Sequence, residues 1–305
     1  MIVGFKTGPK TWAEGREIVE QHGATFCEIW FNVLRADEYV EPLKWFTDRG
    51  VSVGLHHWGT IGDMKPNYAT TNKDLRERTL AQMKECIDLG AAYEAGYVNI
   101  HPTSRVLEKH DVDAGVQSPI PDSATPEATY QELLIAGCVE LHEYAKAQAV
   151  TLTFETIPAR EQYRHLDRSE TYDPGNITLA DSKKIAAAGC NLANDLTHTV
   201  ASVAPSCPAE SIMECMTASL ADFVADTADS TKLVHVNTMV PPFDGTDTHD
   251  GVRDIDFDNG VYPDKELVQK VLTTFKDRDD VFIIPEPRDS MGDNYAALVE
   301  LTQDL

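Results

Sequence analysis

Short apolar runs alternate with longer amphipathic ones along the whole chain, and that alternation leaves few folds open. The apolar runs are IVGFK (2–6), TFCEIWF (25–31), VSVGLHH (51–57), YVNIH (97–101), TLTFETI (151–157), NLANDL (191–196), KLVHVN (232–237) and VFIIPE (281–286). Helical patterns fall between them, near 11–22, 37–49, 74–89, 126–148, 178–188, 211–228, 263–277 and 291–303. Start signals support several of the helices: Thr11 with Glu14 and Thr178 with Asp181 have capping-box spacing, and Thr125 precedes Pro126 as an N-cap precedes a first-turn proline. Repeated strand–helix–strand units demand parallel pairing through right-handed crossovers. Eight of them predict a closed α/β fold, a (β/α)8 TIM barrel, spanning 1–305 as one domain. An open doubly wound sheet is the alternative, but GFKTGPK after the first strand does not match a Gly-rich phosphate loop.

Turns from helix to strand read as short, whereas strand-to-helix connections are long: roughly 102–125, 158–177, 199–210 and 238–262. Long connections on one face mark the C-terminal mouth of a barrel, where sites are built. At that mouth the strand ends bring His56, His57, His101, His198 and His235 together with Glu155, Asp195 and Glu286. Clustered carboxylates stay ionised only beside something cationic. No Lys or Arg is expected at these strand ends, so the compensating charge is read as metal. The segment PFDGTDTHDGV (242–252) lies in the longest connection; Asp247 and His249 are good ligands for a divalent ion, although Asp and Gly also suit a solvated turn.

Strand alternation refines the set. His101, Glu155, and His235 with Asn237 fall on the polar parity of their strands, which should face the barrel interior. In the third strand Val51, Val53 and Leu55 share parity with His57, which favours His56 as the inward residue and keeps His57 as the second choice. His22, His110, His142 and His165 are read as surface or packing residues.

Composition bounds the partners. The formal net charge of −24 opposes simple attraction to nucleic acid, since phosphate contacts dominate such binding. It fits either a solubility surface or adaptation to high salt. No run approaches the roughly 18 apolar residues of a membrane span, and MIVGFKTG does not read as a secretion signal, so a cytoplasmic location is expected. The six cysteines are scattered without a CxxC pair and are expected to be reduced space-fillers.

Six motifs in order resemble the xylose isomerase-like TIM-barrel superfamily, and most closely its endonuclease IV branch: NIHPTS (99–104), FETIP (154–158), NDLTH (194–198), VHVNT (234–238), DTH (247–249) and IPEP (284–287). The resemblance covers roughly 51–290. It implies up to three divalent ions, with zinc expected and Mn, Mg or Fe also accepted by mixed His and carboxylate sites. It implies a first ion on His56 (or His57), His101 and Glu155. A second would sit on Glu155 as a bridge with Asp195, His235 and Glu286, and a third on His198, Asp247 and His249. The implied chemistry is phosphodiester hydrolysis, with Glu155 and Glu286 as the catalytic carboxylates that hold or deprotonate the attacking water. Asn237, Arg160, Arg253 and Arg288 are expected to meet the substrate. Departures such as HPTS in place of HPGS, and the acidic 239–262 loop, bear on the substrate more than on the metals. They favour a small sugar-like or phosphodiester substrate over abasic DNA. A metal-dependent sugar or sugar-phosphate isomerase or epimerase is the alternative; it needs only residues matching Glu155, Asp195, His235 and Glu286. A barrel that binds without catalysis is a third reading, because fold alone does not give function.

Overall fold

The computed structural model describes residues 1–111, 114, 116–164, 167–303 and 305. Its centre is a parallel barrel. The strands are β1 in two segments (Ile2–Val3 and Phe5–Thr7), β2 (Phe26–Phe31), β3 (Ser52–His57), β4 (Val98–Ile100), β5 (Leu152–Glu155), β6 (Asn191–Asp195), β7 (Thr231–Val236) and β8 (Phe282–Pro285). Each pairs in parallel with the next. Closure happens within β1: Ile2–Val3 pairs with β8, and Phe5–Thr7 pairs with β2. Gly4 is the joint between the two segments. A Cβ there would stand 2.7 Å from the Phe26 ring and 2.8 Å from both the Phe26 carbonyl and Ile284, so the chain passes only because the residue is glycine.

The interior is layered. At its closed end Phe26, Tyr97, Ala193, Leu233, Phe282 and Ile284 form a buried apolar plug. Two residues further along the same inward parities come Glu28, Asn99, Asp195, His235 and Glu286, all buried. The inward face is thus apolar below and polar above; polarity alone does not mark it. The outward faces pack on the helices, where alternate residues such as Val53, Leu55, Val98, Ile100, Leu152 and Phe154 enter the main core. Burying each such side chain contributes about 1.5–3 kcal/mol.

The helices fall where the amphipathic patterns placed them, from Trp12–His22 to Met291–Gln303. Thr178 forms the expected capping box with Asp181. Thr11 does not: it stands at the N-cap, but its side chain makes no cap bond and its hydroxyl serves Gly8 N instead. Helix Glu127–Ala147 is capped by Pro126 rather than Thr125.

Three features of the connections depart from expectation. First, 102–125 and 158–177 are not plain loops. They supply Glu108–Asp111, Val116–Pro119, Glu161–Arg164 and Asp167–Tyr172 to a four-stranded antiparallel sheet beside the mouth. These short polar strands carry no apolar alternation for a sequence to display. Second, a helix (Leu196–Val203) begins at once after β6, and the 199–210 segment continues it. Third, Cys207 and Cys215 form a disulfide with Cα atoms 5.8 Å apart, which corrects the expectation of reduced thiols throughout. The turn leading into helix Ile212–Thr227 brings together two cysteines whose spacing matches no familiar pair motif. Cys27, Cys86, Cys138 and Cys190 are free and buried.

Candidate metal centre

Local structure aims each side chain. Asp195 ends β6 and caps helix Leu196–Val203: its Oδ1 accepts from His198 N at 2.8 Å and from the Thr197 hydroxyl at 2.9 Å. The cap fixes the carboxylate, and Oδ2 accepts from Asn237 Nδ2 at 3.1 Å while lying 3.8 Å from His235 Nδ1. It also sets His198 in the first turn, pointing back over the barrel. Glu155, at the end of β5, accepts a short hydrogen bond from Asn99, whose own amide oxygen takes the Thr153 hydroxyl at 2.8 Å.

Four ligand-type groups converge, in each of which one atom per residue lies within 4.8 Å of the others: His56, His101 and Glu155; Glu155, Asp195, His235 and Glu286; His198, Asp247 and His249; and Glu28, His56, His235 and Glu286, which overlaps the first two. In the first, His56 Nε2 and His101 Nε2 face each other at 3.1 Å, and lie 3.5 and 3.4 Å from the Glu155 carboxylate. In the second, His235 Nδ1 lies 2.9 Å from Glu286 Oε2 and 3.3 Å from Glu155 Oε1. In the third, Asp247 reaches His198 Nε2 at 3.2 Å and His249 Nε2 at 3.0 Å. Glu155 Oε1, His235 Nδ1 and Glu286 Oε2 are buried, with no hydrogen-bond partner among the described residues. Buried polar atoms are normally satisfied. Unsatisfied atoms crowded from two carboxylates and an imidazole are what a divalent cation would satisfy, and the mixed N and O donor set suits one.

The 242–252 segment is tied down, not a solvated turn. Thr238 and Asp250 pair through their backbones at 3.0 and 2.7 Å, and the Thr238 hydroxyl donates to Gly251 O at 2.6 Å. His249 itself has φ +46°, the left-handed region that a non-glycine residue occupies only at a cost of about 1–3 kcal/mol. Its carbonyl accepts from Arg288 N at 2.7 Å. Strain held in place by this bracing sits on one of the proposed ligands.

His56 is the histidine of the third strand that meets His101 and Glu155. His57 joins none of the groups: it is buried beside Gln82 in the wall of the larger mouth cavity, its Nε2 has no hydrogen-bond partner among the described residues, and burial lowers its pKa to about 4. Asn237 is fully buried behind the ligands, 2.9 Å from His249 Nδ1, so it faces them and not the cavity. Arg253 is bidentate to Asp256 at 2.8 Å and lines neither mouth cavity. Arg160 and Arg288 do line one, a space of about 430 Å³ that shares Trp30, Asp247, His249 and Glu286 with a larger neighbour. The larger cavity, about 590 Å³, has the indoles of Trp30 and Trp58 in its wall, with Lys65 and Glu161. Lys65 pairs with Glu161 at 2.9 Å and Glu108 at 3.3 Å, which ties the small sheet to this wall. His165 lies outside the described residues.

Two charged residues of the centre were not expected. Lys6, on β1, is buried, and its ammonium bonds Glu28 at 3.0 Å and Glu286 at close range, over the Trp30 ring. It corrects the expectation that no Lys or Arg reaches these strand ends. Glu28, on β2, is fully buried. The signal was present: Glu28 is the one charge in TFCEIWF, on the parity of Phe26 and Trp30, and Lys6 the one charge in IVGFK.

The third group carries a pH prediction. His198 is raised well above its ordinary pKa, and His249 to about 9. Burial alone would lower both, but Asp195, Asp247 and Glu155 raise His198, and Asp247 raises His249. A raised imidazole contributes stability that is full below its unfolded value and lost as pH climbs through about 9. Metal needs these rings deprotonated, so protons compete with it. Zinc affinity of this group is expected to rise about tenfold per pH unit for each proton displaced up to that point. Titration of zinc between about pH 6.5 and 8.5 reads this directly, and a flat profile counts against it.

The sequence pattern described as a xylose isomerase-like TIM barrel matches residues 17–300. No curated protein matches the chain. Among solved structures it is similar to a D-tagatose 3-epimerase-like protein (14% identity, TM-score 0.67, covering 100% of this chain and 97% of that one). It is similar also to the 3-keto-D-glucoside 4-epimerase YcjR from E. coli (14%, 0.62, 99% of each chain). A third is endonuclease IV from Thermus thermophilus (16%, 0.58, 100% of each chain). At these identities the likeness is one of fold. Among the described residues no helix is long and apolar enough to cross a membrane.

Proposed function

Because the chain belongs to the xylose isomerase-like TIM-barrel family, whose members include metal-dependent enzymes, we propose that it is a three-metal hydrolase acting on a small phosphodiester. The observation that carries this reading is the third group. His198, Asp247 and His249 converge on a braced, strained loop, and an isomerase using only Glu155, Asp195, His235 and Glu286 has no duty for them. Divalent ions bound there would polarise the phosphate and make an attacking water more acidic.

The chain's own residues supply the rest. Glu155 spans the first two groups and holds them in register. Glu286 is tied through Oε1 to Lys6 and keeps Oε2 toward His235. Burial raises its pKa, but Lys6 and His235 outweigh that and bring it well below the carboxylate range, so it suits orienting water more than storing a proton. Arg160 and Arg288 line the smaller cavity beside Asp247, His249 and Glu286, where an anionic substrate is neutralised. A net charge of −24 and a walled cavity both favour a small substrate over DNA.

A second reading is a sugar epimerase or isomerase, the activity named for two of the similar structures. The feature favouring it is the larger cavity: about 590 Å³ with two indole walls is of sugar size, and it opens beside Glu286. Metal analysis of the purified protein separates the two. About three equivalents, with hydrolysis of a small phosphodiester, is expected; one or two equivalents with activity only on ketoses would replace the first reading by the second.

A further inference from the structure

Glu28 belongs to the fourth ligand-type group, with His56, His235 and Glu286, but it meets the two rings on the nitrogens that face away from the other groups. Its carboxylate is fully buried on β2 and has four polar neighbours. His56 Nδ1 lies 3.2 Å from Oε1, and the Lys6 ammonium lies 3.0 Å from the same oxygen. His235 Nε2 lies 3.0 Å from Oε2, and the Tyr97 hydroxyl donates to that oxygen at 2.8 Å. The opposite nitrogens of the two rings are the ones that face the ligand groups: His56 Nε2 toward His101 and Glu155, and His235 Nδ1 toward Glu286 and Glu155. The rings are stacked, 5.4 Å apart at 12°.

We propose that Glu28 is the shared positioning residue of the first two metal groups, one carboxylate fixing the tautomers of His56 and His235 at once. The inference rests on the metal reading above. A ligating imidazole needs a proton on its far nitrogen and an acceptor for that proton; such partners set ring orientation and ligand basicity. Here a single side chain serves two rings through its two oxygens. Lys6 neutralises the buried carboxylate and lies 2.9 Å from His56 Nδ1. An ammonium only donates, so Lys6 and Glu28 compete for that nitrogen: a bare Nδ1 accepting from Lys6 would put the ring proton on Nε2 and block the ligand position, whereas with Lys6 committed to Glu28 and Glu286 the Nδ1 proton goes to Glu28. The geometry has been given room. Gly54 on β3 faces Tyr97, whose ring a Cβ would meet at 2.6 Å, and that ring carries the hydroxyl to Glu28.

Glu28→Gln tests this at nearly constant volume. Glutamine offers one acceptor oxygen and one amide donor, so it can serve one ring only and drives the other to the wrong tautomer. Chelator competition is expected to show zinc bound about 10–100-fold more weakly across the first two groups. The His198, Asp247 and His249 group keeps its affinity and is the internal control, which a general loss of structure would not spare. Long-range proton–nitrogen NMR on the unaltered protein is the second measurement and needs no variant. It is expected to find protons on His56 Nδ1 and His235 Nε2. A bare nitrogen at either position, or unchanged zinc affinity in Glu28→Gln, overturns the inference. If the unaltered protein binds no metal, the metal reading falls, and the ring protons still decide the role of Glu28.

Discussion

Glu155→Gln is expected to abolish activity, lowering kcat/KM by on the order of 10⁴-fold, and to remove metal from two of the three groups. Glu155 is the one residue common to the first and second groups. Its oxygens lie 3.5 Å from His56, 3.4 Å from His101, 3.3 Å from His235 and 3.2 Å from His198. Glutamine fills the same volume and can keep the contact with Asn99, so the barrel stays folded. It cannot present two anionic oxygens. Metal content should fall from about three equivalents to about one, retained by His198, Asp247 and His249. Near-normal metal content together with near-normal turnover would remove Glu155 from the centre of the mechanism.

The Asp247→Ala, His249→Ala double variant has the next largest effect and the most diagnostic one. Asp247 is the hub of the third group, between His198 and His249. Removing both side chains should cost one equivalent of metal and on the order of 10³-fold in phosphodiester hydrolysis, as losing a preorganised charge-stabilising element does elsewhere. Glu155, Asp195, His235 and Glu286 are untouched, so their metal remains. The epimerase reading expects the opposite outcome, with turnover of a ketose close to that of the unaltered enzyme. The variant also removes the stability that the raised His249 contributes at neutral pH, so a thermal denaturation scan run alongside is expected to show a lower Tm with the cooperative transition retained.

Much of this site is legible in the sequence. The eight-fold alternation gave strands and helices close to their observed bounds, because burial against helices on one side and a barrel interior on the other imposes periodicity. Parity favoured His56 over His57, and it is His56 that meets His101 and Glu155. The small antiparallel sheet was invisible for the complementary reason: EKHD, VQSP and EQYR are held by backbone pairing and by ion pairs such as Lys65–Glu161, with no apolar stripe to announce them. The Cys207–Cys215 bridge escaped because scattered cysteines say nothing of which turn will join two of them.

By itself, then, the sequence determined the barrel, the face that carries the centre, and ten ligand-type residues of which all but His57 converge there, because strand periodicity and strand-end position are local properties. Only the tertiary structure decided how that centre is wired. It brought Lys6 from β1 and Glu28 from β2 beside His56, His235 and Glu286, contacts that span from 28 to 280 positions along the chain. It turned Arg253 to Asp256 and Asn237 to Asp195 and His249, away from both mouth cavities. Closing a barrel sets the first strand against the last, and which charges then meet across the interior is fixed by register and depth, quantities that no local pattern records.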